Sequence, residues 1–442
     1  MNSILRRLTA VEAVEVRAVL LSMFYFLFLF GSYSIVKPVR DSMGTVYGMD
    51  HLQELFTATL LASLVFSPLY AWLASRMKLS TFLPWVYGFI ALTILAFGAL
   101  YSPGSAGERG MAAGFYVWVS TFNLLIISVF WTFMADIFSR EQAKRLFGFI
   151  AAGGTIGGIA GPAIVKYCSK AVGNNGLMLM AAAGFVITAV LVVLLAREKE
   201  RLMARGTEAQ HTSLNHRLGG NPIDGFKLLL RSPYLLLLAL FLLLMTWIST
   251  IVYFQLGDLI TKAYPDKAAR SAAYASIDLW VNSLAVIVQL LGTGHIIKRF
   301  GVQTGLLLNP VIMVIAFLAV AFSPVLLILG GIQIVRRVAE YAVAKPTREM
   351  LFTVVDQESK YKAKNVIDTV VYRFGDFSSA WVSAAVQPHG VAGLAIFGAI
   401  TSVLWFPVAW MLGKRYESVR SGELVAAARA APGGQPQPSG HG

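Results

Sequence analysis

The stretch AVLLSMFYFLFLFGSYSIV, residues 18–36, holds no charged side chain and runs directly into Lys37-Pro38. At 1.5 Å per residue it covers about 30 Å, the thickness of a bilayer's hydrocarbon core. Hydrocarbon offers no partner for backbone N–H and C=O groups, so a chain crossing it must be helical. The block has full span length and no small-residue cleavage site after it, so it reads as a retained span and not a signal peptide. Thr9 followed by Glu12 has the spacing of a capping box ahead of this helix.

Working outward, the pattern repeats. The 442 residues are 57% hydrophobic and 14% charged, against roughly a quarter charged in soluble domains. Spans are expected near 16–41, 53–74, 80–101, 112–136, 143–168, 176–196, 234–261, 271–297, 303–322, 324–350, 363–388 and 390–413. The expected fold is therefore an all-α polytopic membrane protein with about twelve transmembrane helices in a 6+6, major-facilitator-like arrangement. Its parts are an N-terminal six-helix half (1–196), a charged linker loop (197–233), a C-terminal six-helix half (234–416) and a disordered tail (417–442) rich in Ala, Gly, Pro and Gln.

The net charge is +14. Its placement excludes a nucleic-acid partner, because the basic residues collect in loops on one side. That side holds Arg6, Arg7, Arg17, Arg76, Lys78, Arg140, Lys144, Arg145, the 197–233 loop, Lys298, Arg299, Lys345 to Lys364, Lys414 and Arg415. By the positive-inside rule both termini are cytoplasmic. Cys168 is the single cysteine, so no intrachain disulfide forms. None of the six histidines has metal-ligand spacing with another ligand. No catalytic set and no cofactor motif is present, so an enzyme is not expected.

A weak repeat supports two related halves. Asp136 and Ala143-Lys144 follow the fourth span, and Asp356 and Ala363-Lys364 follow the tenth, at one offset of 220 positions. Paired six-helix halves with a substrate bound at mid-membrane are the plan of major facilitator transporters.

Ionisable groups at lipid depth are costly, at least about 2.5–3.5 kcal/mol each, and mark candidate sites. Tyr33, Lys37, Arg40, Gly44 and Tyr47 recur at helical spacing, giving a basic and aromatic stripe suited to an anionic, ring-bearing ligand. Snorkelling of Lys37 and Arg40 to the headgroups is the alternative. The tenth span carries Arg336, Arg337 and Glu340, and the eleventh Asp368, Arg373 and Asp376. Cross-helix pairs of Arg337 with Asp376 and Arg373 with Glu340 are expected, lining a cavity or serving as a structural salt bridge. Asn123 is a further substrate contact. Asp278, Glu340 and Asp376 are candidates for coupling or gating. The glycines at 153, 157 and 161, and at 154 and 158, form small-xxx-small ridges for helix packing, since no Lys-Ser/Thr follows them as a phosphate loop requires.

Several segments, in order along the chain, resemble the ATP/ADP translocase-type nucleotide transporters of plastids and intracellular bacteria. They are Lys37-Pro38-Val39-Arg40-Asp41-Ser42, Leu69 to Arg76, Phe130-Trp131-Thr132-Phe133-Met134-Ala135-Asp136, Gln142 to Gly148, and Ile367 to Gly375. The resemblance implies nucleotide exchange in a twelve-helix fold, with the phosphate tail held by basic residues and the family's first-span lysine falling on Arg40. Two departures stand out. The family's span-four glutamate falls near Val119 to Thr121, where there is no acid, and a lysine of span eleven is replaced by Asp376. The expected partners are thus a small anionic substrate, a nucleotide first, and the lipid bilayer, with the chain a monomer. A proton-coupled facilitator of another solute and a non-transporting sensor or assembly protein are the rival readings.

Overall fold

A computed structural model describes residues 12, 14–204, 222–355, 363–364 and 366–430. Thr9 of the expected cap, Arg6, Arg7, Asp356 of the repeat, positions 205–221 of the linker loop and positions 431–442 of the tail lie outside the described residues. Among the described residues the structure is helical, with no strand. The helices are α1 Val16–Tyr47, α2 Leu52–Arg76, α3 Leu79–Leu100, α4 Glu108–Ile137, α5 Arg140–Ala204, α6 Pro222–Arg231, α7 Pro233–Ala263, α8 Lys267–Val288, α9 Gly294–Phe322, α10 Leu326–Ala339, α11 Lys345–Leu351, α12 Tyr372–Val386 and α13 Gly390–Ala430.

Nine helical stretches among the described residues are long and apolar enough to cross a bilayer. Two of them, Arg145–Arg201 and Ile367–Gly422, run 57 and 56 residues, each long enough for two crossings. α5 breaks at Gly173 (φ 63°), a backbone conformation that glycine adopts without the Cβ clash other residues suffer. The break falls between the spans expected at 143–168 and 176–196. Pro38 sits inside α1, which stays helical to Tyr47 and stops where Gly48 turns to φ 123°.

Two expectations about polar segments change. α5 continues through Arg197–Ala204 and α6 occupies 222–231, so the described parts of the linker are helical. α13 likewise continues to Ala430, where a disordered tail was expected from 417. Residues 417–430 are rich in Ala, Glu, Arg and Leu, all strong helix formers, ahead of the Pro/Gly-rich end.

The chain forms two compact units. Unit 1 holds residues 1–219, 253–284 and 325–330, and unit 2 holds 220–252, 285–324 and 331–442. In unit 1, α1 lies directly on α5. A Cβ added at Gly153 would come 2.1 Å from the carbonyl oxygen of Met23, and one at Gly157 2.4 Å from that of Leu27. The ridge of bare glycines is what admits α1, and Phe26 and Phe30 fill the second groove over Gly154 and Gly158. Lipid tails are as apolar as leucine, so such close packing replaces the hydrophobic drive available in water. Deeper in, the hydroxyls of Tyr25 and Tyr87 lie 2.6 Å apart, and Phe26 stacks on Phe130 at 4.1 Å. In unit 2, α12 approaches α7 at Gly375, where a Cβ would meet Thr246 Oγ1 at 2.0 Å. Phe241 of α7 packs on the buried Trp405 of α13.

Candidate functional site

Each unit buries a cluster of charge. In unit 1 the cluster rests on the second half of α1. Lys37 Nζ donates to Asp278 Oδ2 of α8 at 2.5 Å. The lysine side chain keeps 22% of its surface exposed and the aspartate 6%. One turn on, Arg40 donates through Nε (3.1 Å) and Nη2 (2.6 Å) to Asp41 Oδ1. Its Nη1 donates to Ser120 Oγ of α4 at 3.3 Å, and the guanidinium lies 5.2 Å from the centre of the Tyr116 ring. Tyr253 of α7 donates its hydroxyl to the same Asp41 oxygen at 3.0 Å. Two cations thus face two carboxylates, and the basic stripe is neutralised locally by Asp278 and Asp41.

The other predicted residues of this unit divide. Tyr33 is buried on α1 beside Phe30. Asn123 is half-buried on α4, three residues beyond Ser120. Tyr47 turns away from the cluster. Its hydroxyl donates to Glu54 of α2, its carbonyl accepts from Arg109 Nε at 3.1 Å, and its ring borders a cavity of about 500 Å³ shared with Glu54, Ala58 and Val117. Gly44 serves the cluster by its bareness, because a Cβ there would press on the Tyr116 ring at 3.0 Å. Asp278 has Asn282 one turn on, and Asn282 donates to the Gly158 carbonyl at 2.5 Å, tying α8 to the glycine run of α5.

In unit 2 the centre is Arg336. It is 6% exposed and donates to Glu340 Oε2 (2.8 Å), Ser249 Oγ (2.7 Å) and Gln333 Oε1 (3.1 Å). Arg337 lies over the Tyr341 ring at 5.5 Å and donates to its hydroxyl at 3.3 Å. Arg373 Nη1 lies 3.8 Å from Asp376 Oδ2, and Arg348 pairs with Asp368 at 3.4 Å. The ion pairs seen for Arg336 and Arg373 follow the i,i+4 and i,i+3 rows of their own helices. Tyr372, one position before Arg373, lies within electrostatic reach of both Asp376 and Glu340. Glu340 opens a π-helical turn, 340–344, and Asp368 lies within another, 367–371, that leads into α12. Single π turns of this kind recur at functional sites. Three arginines against Glu340 and Asp376 leave this cluster one positive charge in surplus.

Sequence reasoning singled out the cations and missed most of what holds them: Asp41, Tyr116, Ser120, Tyr253, Ser249, Gln333 and Tyr372. Asp41 was present in the quoted motif, and the unbalanced charge of Lys37 and Arg40 was the signal that could have found it.

Residues 113–415 match the family model described as TLC ATP/ADP transporter. The chain belongs to the TLC ATP/ADP transporter family. It is similar to the ADP,ATP carrier protein 1 of Chlamydia pneumoniae, 25% identical over 393 residues that cover 76% of this chain and 74% of the relative. It is also similar to the ADP,ATP carrier protein 2 of Chlamydia trachomatis serovar D, 24% identical over 89% of this chain and 87% of the relative. Among solved structures, this TLC family member is similar in fold to a bacterial homologue of the iron transporter ferroportin in an inward-facing state. The TM-score is 0.64 at 11% identity, covering 90% of this chain and 99% of that one. The nucleoside transporter NupG gives 0.57 at 14% identity, covering 91% and 98%. The fold is that of major facilitator-type transporters, as expected from the helix pattern. Where the resemblance placed a glutamate on α4, this TLC family member has Ser120 accepting from Arg40, with the carboxylate supplied by Asp41.

Proposed function

We propose that this chain exchanges nucleotides of the ATP/ADP type across a bacterial inner membrane by alternating access. The supporting observation is the Lys37–Asp278 pair: a lysine at lipid depth, partly open to solvent, held by a carboxylate on another helix. An unpaired cation there would be costly, so the empty carrier needs the carboxylate. A phosphate, with more charge and more acceptor oxygens, can take the lysine from it. Arg40, Arg336, Arg337 and Arg373 are the further phosphate contacts, and Tyr33 and Asn123 contact the base and sugar. Asp278, Glu340 and Asp376 then act as substitute partners that keep the cations neutralised when no substrate is present. Membership of the TLC ATP/ADP transporter family and the names of the relatives support the nucleotide as substrate. We further read twelve spans, both termini on the cytoplasmic side, and a monomer.

The test is counterflow in proteoliposomes loaded with ATP, ADP, sugar phosphates or dicarboxylates and challenged with labelled nucleotide. Uptake driven by internal nucleotide and unaffected by collapse of the proton gradient is expected. Equal uptake with empty vesicles and with every internal anion would defeat the exchange reading.

A further inference from the structure

Unit 1 contains a second cavity away from the charge cluster. It lies among α2, α3 and α4, holds about 440 Å³, and has an almost wholly apolar lining that includes Tyr70, Met77, Trp85, Phe89 and Trp118. That volume is within the roughly 300–1,000 Å³ of small-molecule sites. Trp85 is 73% exposed and Phe89 55%, and both belong to a helix long and apolar enough to cross the bilayer. The cavity therefore opens sideways into lipid.

Three features are arranged in sequence along it. At one end, the lining residue Met77 is flanked in the α2–α3 turn by the exposed cations Arg76 and Lys78. Six residues back along α2, about 9 Å at the helical rise, Tyr70 lines the cavity with a buried hydroxyl that has no hydrogen-bond partner among the described residues. A buried donor left unmade is costly, and the ring of Phe82 beside Tyr70 supplies no acceptor. Apart from Thr121, whose hydroxyl donates to the Val117 carbonyl, the remaining lining residues are hydrocarbon or aromatic. Cations at the interface, a donor one to two turns deeper and an apolar slot beyond match the phosphate, ester carbonyl and acyl chain of a glycerophospholipid, in that order. Basic residues beside a span favour anionic headgroups.

We propose that the α2–α3–α4 groove is a binding site for an anionic phospholipid, its phosphate at Arg76 and Lys78, an ester carbonyl accepting from Tyr70, and one acyl chain in the cavity. The test is native mass spectrometry of the full-length protein titrated with phosphatidylglycerol and with phosphatidylcholine of the same chains. One phosphatidylglycerol should bind more tightly than phosphatidylcholine, by about five-fold per cation. Lys78→Gln should lose about five-fold of that preference, and Tyr70→Phe should weaken both lipids by two- to ten-fold alike. Val86→Trp, which fills the groove, should displace the bound lipid. Lys78 is exposed and supports no buried contact, so its variant decides the matter even where Val86→Trp fails to fold. Equal binding of both lipids to the wild type, or an undiminished preference in Lys78→Gln, overturns the proposal. A lipid-independent dimer abolished by Val86→Trp would give the groove to a second copy of the chain and overturn it too.

Discussion

Lys37 on α1 and Asp278 on α8 are separated by 241 positions in the chain and by 2.5 Å in space. The pair links the first helix of unit 1 to a helix from the far half of the sequence, and neither group has water's full support. Removing one member of a buried ion pair costs about 3–5 kcal/mol, because the other is left uncompensated. The lysine's 22% exposure lowers that figure here. Asp278→Asn should therefore cut counterflow at least ten-fold and lower the thermal midpoint. Lys37→Gln/Asp278→Asn should recover the midpoint but not the transport. A double variant as unstable as the single, in a detergent thermal-shift assay, would show that the pair is not held for charge balance.

At Arg40 the carboxylate is its own neighbour, Asp41, steadied by the hydroxyl of Tyr253. Tyr253→Phe removes one hydrogen bond and leaves the ring, so a loss of about 0.5–1.5 kcal/mol is expected, seen as a two- to ten-fold rise in KM for nucleotide. Asp41→Asn leaves Arg40 without its counter-charge and should reduce transport further, with Arg40→Lys unable to rescue it because an ammonium lacks the planar fork. KM values for the three variants in proteoliposomes check the ranking. Identical values in all three would separate Asp41 and Tyr253 from the substrate.

What the sequence shows of this molecule follows from what lipid forbids. Uncharged blocks such as residues 18–36 mark the helices, and the glycine ladder from Gly153 to Gly161 marks a packing face, because both signals are local. The cations at 37, 40, 336, 337 and 373 stand out for the same reason. Most of their partners do not. Asp41 follows Arg40 directly, and adjacent helical residues point in different directions; only the long reach of the guanidinium brings them together. Tyr253 and Ser249 come from distant helices that no spacing rule connects, whereas Asp278, Glu340 and Asp376 stand out as acids within apolar blocks. The π turns at 340–344 and 367–371 re-aim Glu340 and Asp368 without any glycine or proline signature of their own. Tyr47 kept the periodicity of the stripe, yet α1 ends beside it and its hydroxyl goes to Glu54.

Arg336 combines Glu340, Ser249 and Gln333 through three of its fixed donor directions. Arg336→Lys keeps the charge but cannot serve three acceptors in one plane. A loss of folded protein of about 1–3 kcal/mol is expected from the acceptors left unmade, with exchange reduced at least ten-fold. Ser249→Ala, which removes one acceptor from an otherwise intact set, should be several-fold milder. Size-exclusion yield and counterflow measured on the same preparations distinguish the two contributions, and an Arg336→Lys protein with wild-type exchange would remove this residue from the site.

The start of α8 is clasped to the ends of three other helices. Lys267 pairs with Glu108 of α4, which also accepts from the Tyr101 hydroxyl at 2.7 Å. Arg270 donates to Thr45 of α1 at 3.0 Å, and Ser271 to Asn174 of α5 at 2.9 Å. Burial, reinforced by the bond to Glu108, holds the Tyr101 phenol above its ordinary range, so it remains a donor. The alternating access proposed above opens one end at a time, and we propose that this clasp closes the end it occupies. Glu108→Gln should weaken it and raise the labelling rate of a cysteine placed at Thr45 several-fold, with nucleotide shifting that rate further. A labelling rate unchanged by Glu108→Gln would mean that the clasp does not control access.

The glycine ridge gives the sharpest contrast within one helix. A methyl group at Gly153 would sit 2.1 Å from a backbone oxygen of α1, while one at Gly148, five residues earlier, meets nothing within 4 Å. A backbone atom cannot swing aside as a side chain can, so α1 itself must move. Overpacking of this kind costs about 1–3 kcal/mol or more. α1 also carries Lys37 and Arg40, so its displacement should disturb the charge cluster as well as stability. Gly153→Ala is expected to lower the thermal midpoint by several degrees and to weaken exchange, whereas Gly148→Ala should match or exceed the wild type, since alanine is the better helix former by about 1 kcal/mol. Fluorescence-detected size-exclusion chromatography after a heating series would rank the two directly. If Gly153→Ala proved as stable as Gly148→Ala, the contact between α1 and α5 described here would be wrong in register.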